Sequence, residues 1–125
     1  MALRDPAILD RTLAPDERRV LVDFAARVRG VYGARLMHFV VFGSRARGDA
    51  DEDSDIDVMV VLDVSEGDEA VAVDRVWELL RASKRACRAA AVPLAPIVLC
   101  AQRLSALRDG RSRLTRDLDA EGIAL

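Results

Sequence analysis

Histidine is almost absent from this chain: His38 stands alone among 125 residues, inside the apolar run from Leu36 to Phe42. One imidazole excludes the His-rich ligand sets of most zinc and iron centres, and its place in an apolar run predicts a structural role. Cysteine is nearly as scarce. Cys87 and Cys100 have neither CxxC spacing nor neighbouring histidines, so free thiols are expected rather than a zinc site. Aromatic residues make up 4% of the chain. Phe24, Phe39, Phe42 and Trp77 all fall on apolar stripes and runs, which predicts core packing and leaves no platform for stacked bases. No apolar run approaches the roughly 20 residues that span a bilayer, and no charged-then-apolar leader opens the chain. A cytoplasmic protein with no membrane partner is therefore expected. Neither sign of charge dominates: 19 Lys+Arg against 21 Asp+Glu leave a net charge of -2. Such a balance supplies no global field toward nucleic acid, so no direct nucleic-acid binding is expected.

What the chain has in quantity is apolar residues, 51% of the total. At this length they suffice for one domain with one core. From Pro15 to about Val31, Val20, Leu21, Phe24, Ala25 and Val28 recur at three and four, the stripe of an amphipathic helix. Leu36 to Phe42 and Ile56 to Leu62 are nearly continuous apolar runs, as strands covered on both faces require. Val73, Val76, Trp77, Leu80, Ala86 and Cys87 predict a long helix between Glu69 and Ala91, closed by Pro93. Pro93 to Cys100 reads as a third strand, confined by Pro93 and Pro96 to an edge, a bulge or a strand start. Short helices follow from about Gln102 to Leu107 and from about Leu114 to Glu121, the latter capped by Gly122. The expected fold class is a small α/β (α+β) domain spanning 1–125, with its core over about 15–100 and helices over about 101–125.

The chemistry gathers in residues 43 to 57, Gly-Ser-Arg-Ala-Arg-Gly-Asp-Ala-Asp-Glu-Asp-Ser-Asp-Ile-Asp. Gly43 and Ser44, at the end of a strand, offer close backbone approach, amide donors and a hydroxyl to a phosphate. Arg45 and Arg47 carry guanidinium forks that match phosphate oxygens, and Gly48 lets the chain turn away. Asp55 and Asp57 are two apart, so both carboxylates share one face if the second strand begins there. Two carboxylates plus substrate phosphates form the usual magnesium site of nucleotide enzymes. Each part alone matches a solvated turn or loop. Their combination, Gly-Ser, ten intervening residues, then Asp-Ile-Asp between apolar strands, is far more specific.

That run resembles the signature of the DNA polymerase beta superfamily, and within it the minimal nucleotidyltransferases. The resemblance implies a mixed sheet flanked by helices, a triphosphate gripped at Gly43 and Ser44, and Mg2+ held on the catalytic pair Asp55 and Asp57. Arg45 and Arg47 would join the nucleotide-binding set. It also implies a third metal-binding acid on the next core strand. Here Val92 to Cys100 contain no acid, and Ala95 or Pro96 falls nearest the position. Asp63 lies six residues beyond Asp57, roughly 20 Å along an extended strand, and is too far to substitute.

Two functions follow from the resemblance. One is transfer of a nucleoside monophosphate, AMP from ATP first, to a hydroxyl on a partner protein, with the chain as antitoxin to a small helical toxin of the HEPN ribonuclease type. The other is a catalytically weakened, nucleotide-binding antitoxin or interaction module, favoured by the missing acid. Small-molecule modification ranks last, because an acceptor pocket would call for an added helical domain. The arginines from Arg103 to Arg116 are interleaved with Asp109, Asp117, Asp119 and Glu121 and predict a solvated helical face.

Overall fold

A computed structural model describes residues 4–48 and 54–125 of the chain. The acidic stretch 49–53, part of the run singled out above, lies outside the described residues. After a short helix α1 (Leu9–Thr12), the order is α2 (Pro15–Tyr32), β1 (Leu36–Phe42), α3 (Ser44–Arg47), β2 (Ile56–Leu62), α4 (Glu69–Ala86), β3 (Leu94–Cys100), α5 (Ala101–Asp109), α6 (Arg113–Glu121) and β4 (Ile123–Ala124). The four strands form one mixed sheet in the order β3-β2-β1-β4. β1 runs antiparallel to both β2 and β4, and β2 runs parallel to β3.

Alternation along the central strands divides the core in two. Phe39 and Val41 of β1, with Ile56, Val58 and Val60 of β2, pack against Val20, Phe24 and Val28 of α2 and Val76 and Leu80 of α4. Val40, Phe42, Met59 and Val61 point the other way, against Leu104 of α5 and Leu118 of α6. Both faces are covered, which is why β1 and β2 read as apolar runs rather than as alternating strands. The Phe24 and Phe39 rings meet edge to face, 5.5 Å between centroids, a favoured aromatic geometry. Trp77 departs from its expected core position: it lies at the margin of α4 and is 37% exposed.

Of the positions open to β3, the structure selects the edge. Ile56 N–H donates to the Pro93 carbonyl and Ile56 pairs with Leu94, so Ala95, Ile97 and Leu99 turn their peptide groups toward β2. Pro96 therefore sits on the outward side, where its missing N–H leaves no donor for another strand. The outward Cys100 N–H is satisfied instead by Glu69 Oε2 at 3.0 Å, and Arg103 Nε lies 2.8 Å from Glu69 Oε1. Burial pushes the Glu69 carboxyl up, but the Cys100 amide and Arg103 outweigh it and hold it below the usual carboxylate range. Glu69→Ala should therefore destabilise the fold by about 1–3 kcal/mol by stranding a buried amide, seen as a lower urea midpoint. A depressed carboxylate stabilises above its unfolded pKa and ceases to as pH falls through the folded value. The wild-type advantage should accordingly shrink in acid.

Two helix ends differ from expectation. α4 stops at Ala86, well before Pro93, because Arg88 turns left-handed at φ 52°. Its N–H meets the Arg85 carbonyl and the Ala89 N–H meets Lys84, the paired bonds of a Schellman close. α6 ends on Gly122, which is extended (φ -63°, ψ 139°) and leads into the short strand β4 rather than capping in the left-handed region. Cys87 and Cys100 are free. Among the described residues no helix is long and apolar enough to cross a membrane.

Candidate nucleotide site

The site is built where β1 ends. Gly43 takes φ 81° and ψ -166°, a conformation that is essentially glycine's alone, and the chain then makes the single turn of α3. Ala46 and Arg47 N–H both donate to the Gly43 carbonyl, and Gly48 N–H returns to Ser44 at φ 80°. The amides of Ser44 and Arg45 head the turn, where helical geometry provides no internal acceptor.

Directly across the sheet, Phe42 pairs with Asp57. A β-carbon placed on Gly43 would lie 2.4 Å from Asp57 Oδ2. The glycine thus lets the backbone turn settle against the carboxylate, so a group held by the turn lies beside the acid. Asp57 is half-buried, and Asp55 is exposed, one residue ahead of β2. Burial pushes the Asp57 carboxyl up, and the charges of Asp55 and Glu121 push it further in the same direction. Carboxylates crowded in this way gain from a cation between or beside them.

The arginines divide. Arg47 Nη1 lies 2.7 Å from Glu121 Oε2 at the margin of the turn, and its side chain remains 45% exposed. Arg45, expected beside it at the phosphate, is 6% exposed and directed inward. Its Nη1 donates to the Ser54 carbonyl at 2.9 Å and its Nη2 is bonded to Glu17 Oε1. Glu17 Oε1 also accepts from Ala14 N–H at 2.8 Å, closing the first turn of α2. In this arrangement Arg45 fastens α3, the segment before Asp55 and α2 together, and the expected grouping of Arg45 with Arg47 is not formed. On the outer side of α3, Arg4 Nη1 donates to the Ala46 carbonyl at 3.3 Å.

Glu17 and Glu121 are participants that sequence reasoning passed over. Glu121 was grouped with a solvated face, yet it is 7% exposed. Its signal was the i, i+3 spacing from the buried Leu118, one turn back on α6. The position across from Asp57 on β3 is Ala95, in agreement with the reading that no third acid stands there. Asp63 is at the far end of β2, where its N–H meets the Arg35 carbonyl. His38, opposite Val61, also lies toward that end. Burial and the neighbouring Arg108 hold its imidazole below the ordinary range. Among the described residues no three His, Cys, Asp or Glu side chains converge as a metal site. Among the described residues the acids at this end are Asp55 and Asp57, with Glu121 held by Arg47.

Residues 36–110 match the family described as "Nucleotidyltransferase domain". A Methanocaldococcus jannaschii protein whose name proposes it as a protein adenylyltransferase is 39% identical over 49 residues, covering 39% of this chain and 49% of that protein. The match thus takes in about half the length of that relative. Among solved structures, a Sulfolobus solfataricus protein proposed as a nucleotidyltransferase, determined at 1.40 Å, aligns with TM-score 0.49 and 19% identity over 97% of this chain and 87% of its own.

Proposed function

Because the chain belongs to the nucleotidyltransferase domain family, we propose that it transfers a nucleoside monophosphate, AMP from ATP in the first instance, to a hydroxyl on a partner protein. The observation that carries this reading is the Gly43 turn seated against Asp57, which sets the amides heading that turn beside a carboxylate. The relative named for protein adenylylation supports AMP as the group and a protein as the acceptor. A small helical partner of the HEPN ribonuclease type and a cytoplasmic setting complete the proposal.

In this reading the Ser44 and Arg45 amides and the Ser44 hydroxyl bind triphosphate oxygens. Arg47, held in place by Glu121, supplies positive charge at the rim. Asp55 and Asp57 would hold Mg2+, which offsets phosphate charge and orients the transfer when bound. Their fit rests on two carboxylates two residues apart at the start of β2, with Asp57 set against the Gly43 turn. The acceptor oxygen bonds to the α-phosphorus, the bond to the β-phosphate oxygen breaks, and pyrophosphate leaves with the electron pair. The proton freed from the acceptor hydroxyl passes to solvent or to an aspartate.

Ala95 favours a second reading. A side chain without a carboxyl beside Asp57 removes one means of activating the acceptor, as expected of a nucleotide-binding interaction module with weak turnover. Purified protein incubated with magnesium, labelled ATP and lysate of its source separates the two. Transfer predicts label on a protein, reduced about 100-fold or more by Asp57→Asn. Magnesium-dependent ATP binding without label selects the interaction module, and no ATP binding by the wild type sinks both.

A further inference from the structure

Among the described residues, nine of the eighteen arginines are matched with acids, Arg27 with Asp23 and Arg103 with Glu69 among them. The C-terminal end of α4 gathers unmatched cations in one place. Arg81, Lys84, Arg85 and Arg88, with Ala90, line one open groove of about 470 Å³. Among the described residues, none of the four cations lies within ion-pair distance of an acid. One or two cations here would complement the helix dipole. Four at spacings of three and four set like charges beside one another, and each such pair opposes helix stability. Arg88 adds backbone strain through its left-handed φ of 52°.

Topology sets this groove at the functional end of the sheet. α4 returns from the far end of β2, and β3 begins at Leu94 beside Ile56, one residue from Asp57. We propose that the groove formed by Arg81, Lys84, Arg85 and Arg88 docks a short acidic segment of a protein partner, at the same end of the sheet as the nucleotide site but on the face opposite Asp57. This deepens the proposed function and rests on its reading of the acceptor as a protein. The groove is short: its helical part, from Arg81 to the end of α4 at Ala86, rises about 8 Å, and Arg88 lies just beyond. Asp74 and Glu78 stand immediately N-terminal to it on α4. A longer polyanion running along the helix would meet those acids, whereas a few consecutive carboxylates fit within the basic stretch and can take arginine forks. The net charge of -2 likewise disfavours an extended nucleic-acid track.

Fluorescence anisotropy of the whole chain tests the surface. The probes are a fluorescein-labelled Gly/Ser peptide bearing four consecutive glutamates, its glutamine counterpart, and labelled oligouridylate of equal length. The glutamate peptide should bind in a salt-sensitive way and the glutamine peptide should not. Binding should weaken about tenfold in Arg81→Gln/Arg85→Gln and further when Lys84→Gln and Arg88→Gln are added. Arg11→Gln/Arg116→Gln, two exposed arginines elsewhere, should bind as the wild type does. Circular dichroism checks folding, and the double variant alone decides if the fourfold variant unfolds. Equal binding by Arg81→Gln/Arg85→Gln and wild type, or oligouridylate bound more tightly than the glutamate peptide, overturns the proposal. Magnesium-ATP binding measured on the same samples keeps the two readings apart. Its loss in the wild type defeats the nucleotide site without touching the peptide result.

Discussion

Replacing Gly43 by alanine is expected to abolish magnesium-dependent ATP binding and to destabilise the fold at the same time. Two independent effects combine. The backbone at φ 81° and ψ -166° is open to glycine, and any β-carbon there introduces strain of about 1–3 kcal/mol. The new methyl would also lie 2.4 Å from Asp57 Oδ2, well inside contact distance. Asp57 is the second residue of strand β2, paired with Phe42, so relief must come either from rotation of its carboxylate or from movement of the turn. Either response separates the phosphate grip from the acid.

The measurement is a pair: thermal unfolding of the apo protein, and ATP titration by calorimetry with and without magnesium. Gly48→Ala is the useful comparison. It carries a similar positive φ of 80°, but among the described residues its added carbon meets just the Thr12 methyl, at 3.2 Å. Gly48→Ala should lose stability while keeping much of its ATP affinity. Full ATP binding by Gly43→Ala would show that the turn and Asp57 do not work as one site.

The same end of the sheet shows which parts of the protein the sequence made legible. β1, β2 and β3 were readable because covered strands leave unbroken apolar runs, and α2 because its stripe is sealed by Pro15. Gly43, Ser44, Asp55 and Asp57 stood out as candidates because the proposed phosphate and metal chemistry restricts residue type at close spacing. β4 was not, since two residues after a helix carry no periodicity and gain strand character only by pairing with Val40 and Val41. The end of α4 was misjudged because Arg88 occupies a left-handed position that usually signals itself as glycine. The roles of Glu17 and Glu121 depend on contacts over 28 and 74 positions. No local pattern encodes such distances. Arg45 and Arg47 look equivalent in sequence, yet α3 turns one inward and leaves the other at the rim, because two residues along a helical turn differ in direction by about 200°.

That inward turn sets up the second large effect. Arg45→Ala is expected to cost about 3–5 kcal/mol of stability, the range for removing one partner of a buried ion pair. The side chains of Arg45 and Glu17 are 7% and 13% exposed, so neither charge can recover its hydration if the other is lost. Removing Arg45 also deletes its hydrogen bond to the Ser54 carbonyl and, among the described residues, leaves Glu17 with the Ala14 amide. The pair rather than either charge is the unit. Glu17→Gln/Arg45→Met, which keeps the volume and removes both charges, should therefore lose much less than the sum of Glu17→Ala and Arg45→Ala. Urea denaturation of these proteins together with Glu17→Ala/Arg45→Ala closes the cycle and gives the coupling. If Arg45 served the phosphate rather than the fold, Arg45→Ala would keep its urea midpoint and lose only ATP affinity. The buried geometry requires the opposite order: the midpoint falls first, and ATP affinity falls because Ser54, and with it the approach to Asp55, is no longer held against the turn.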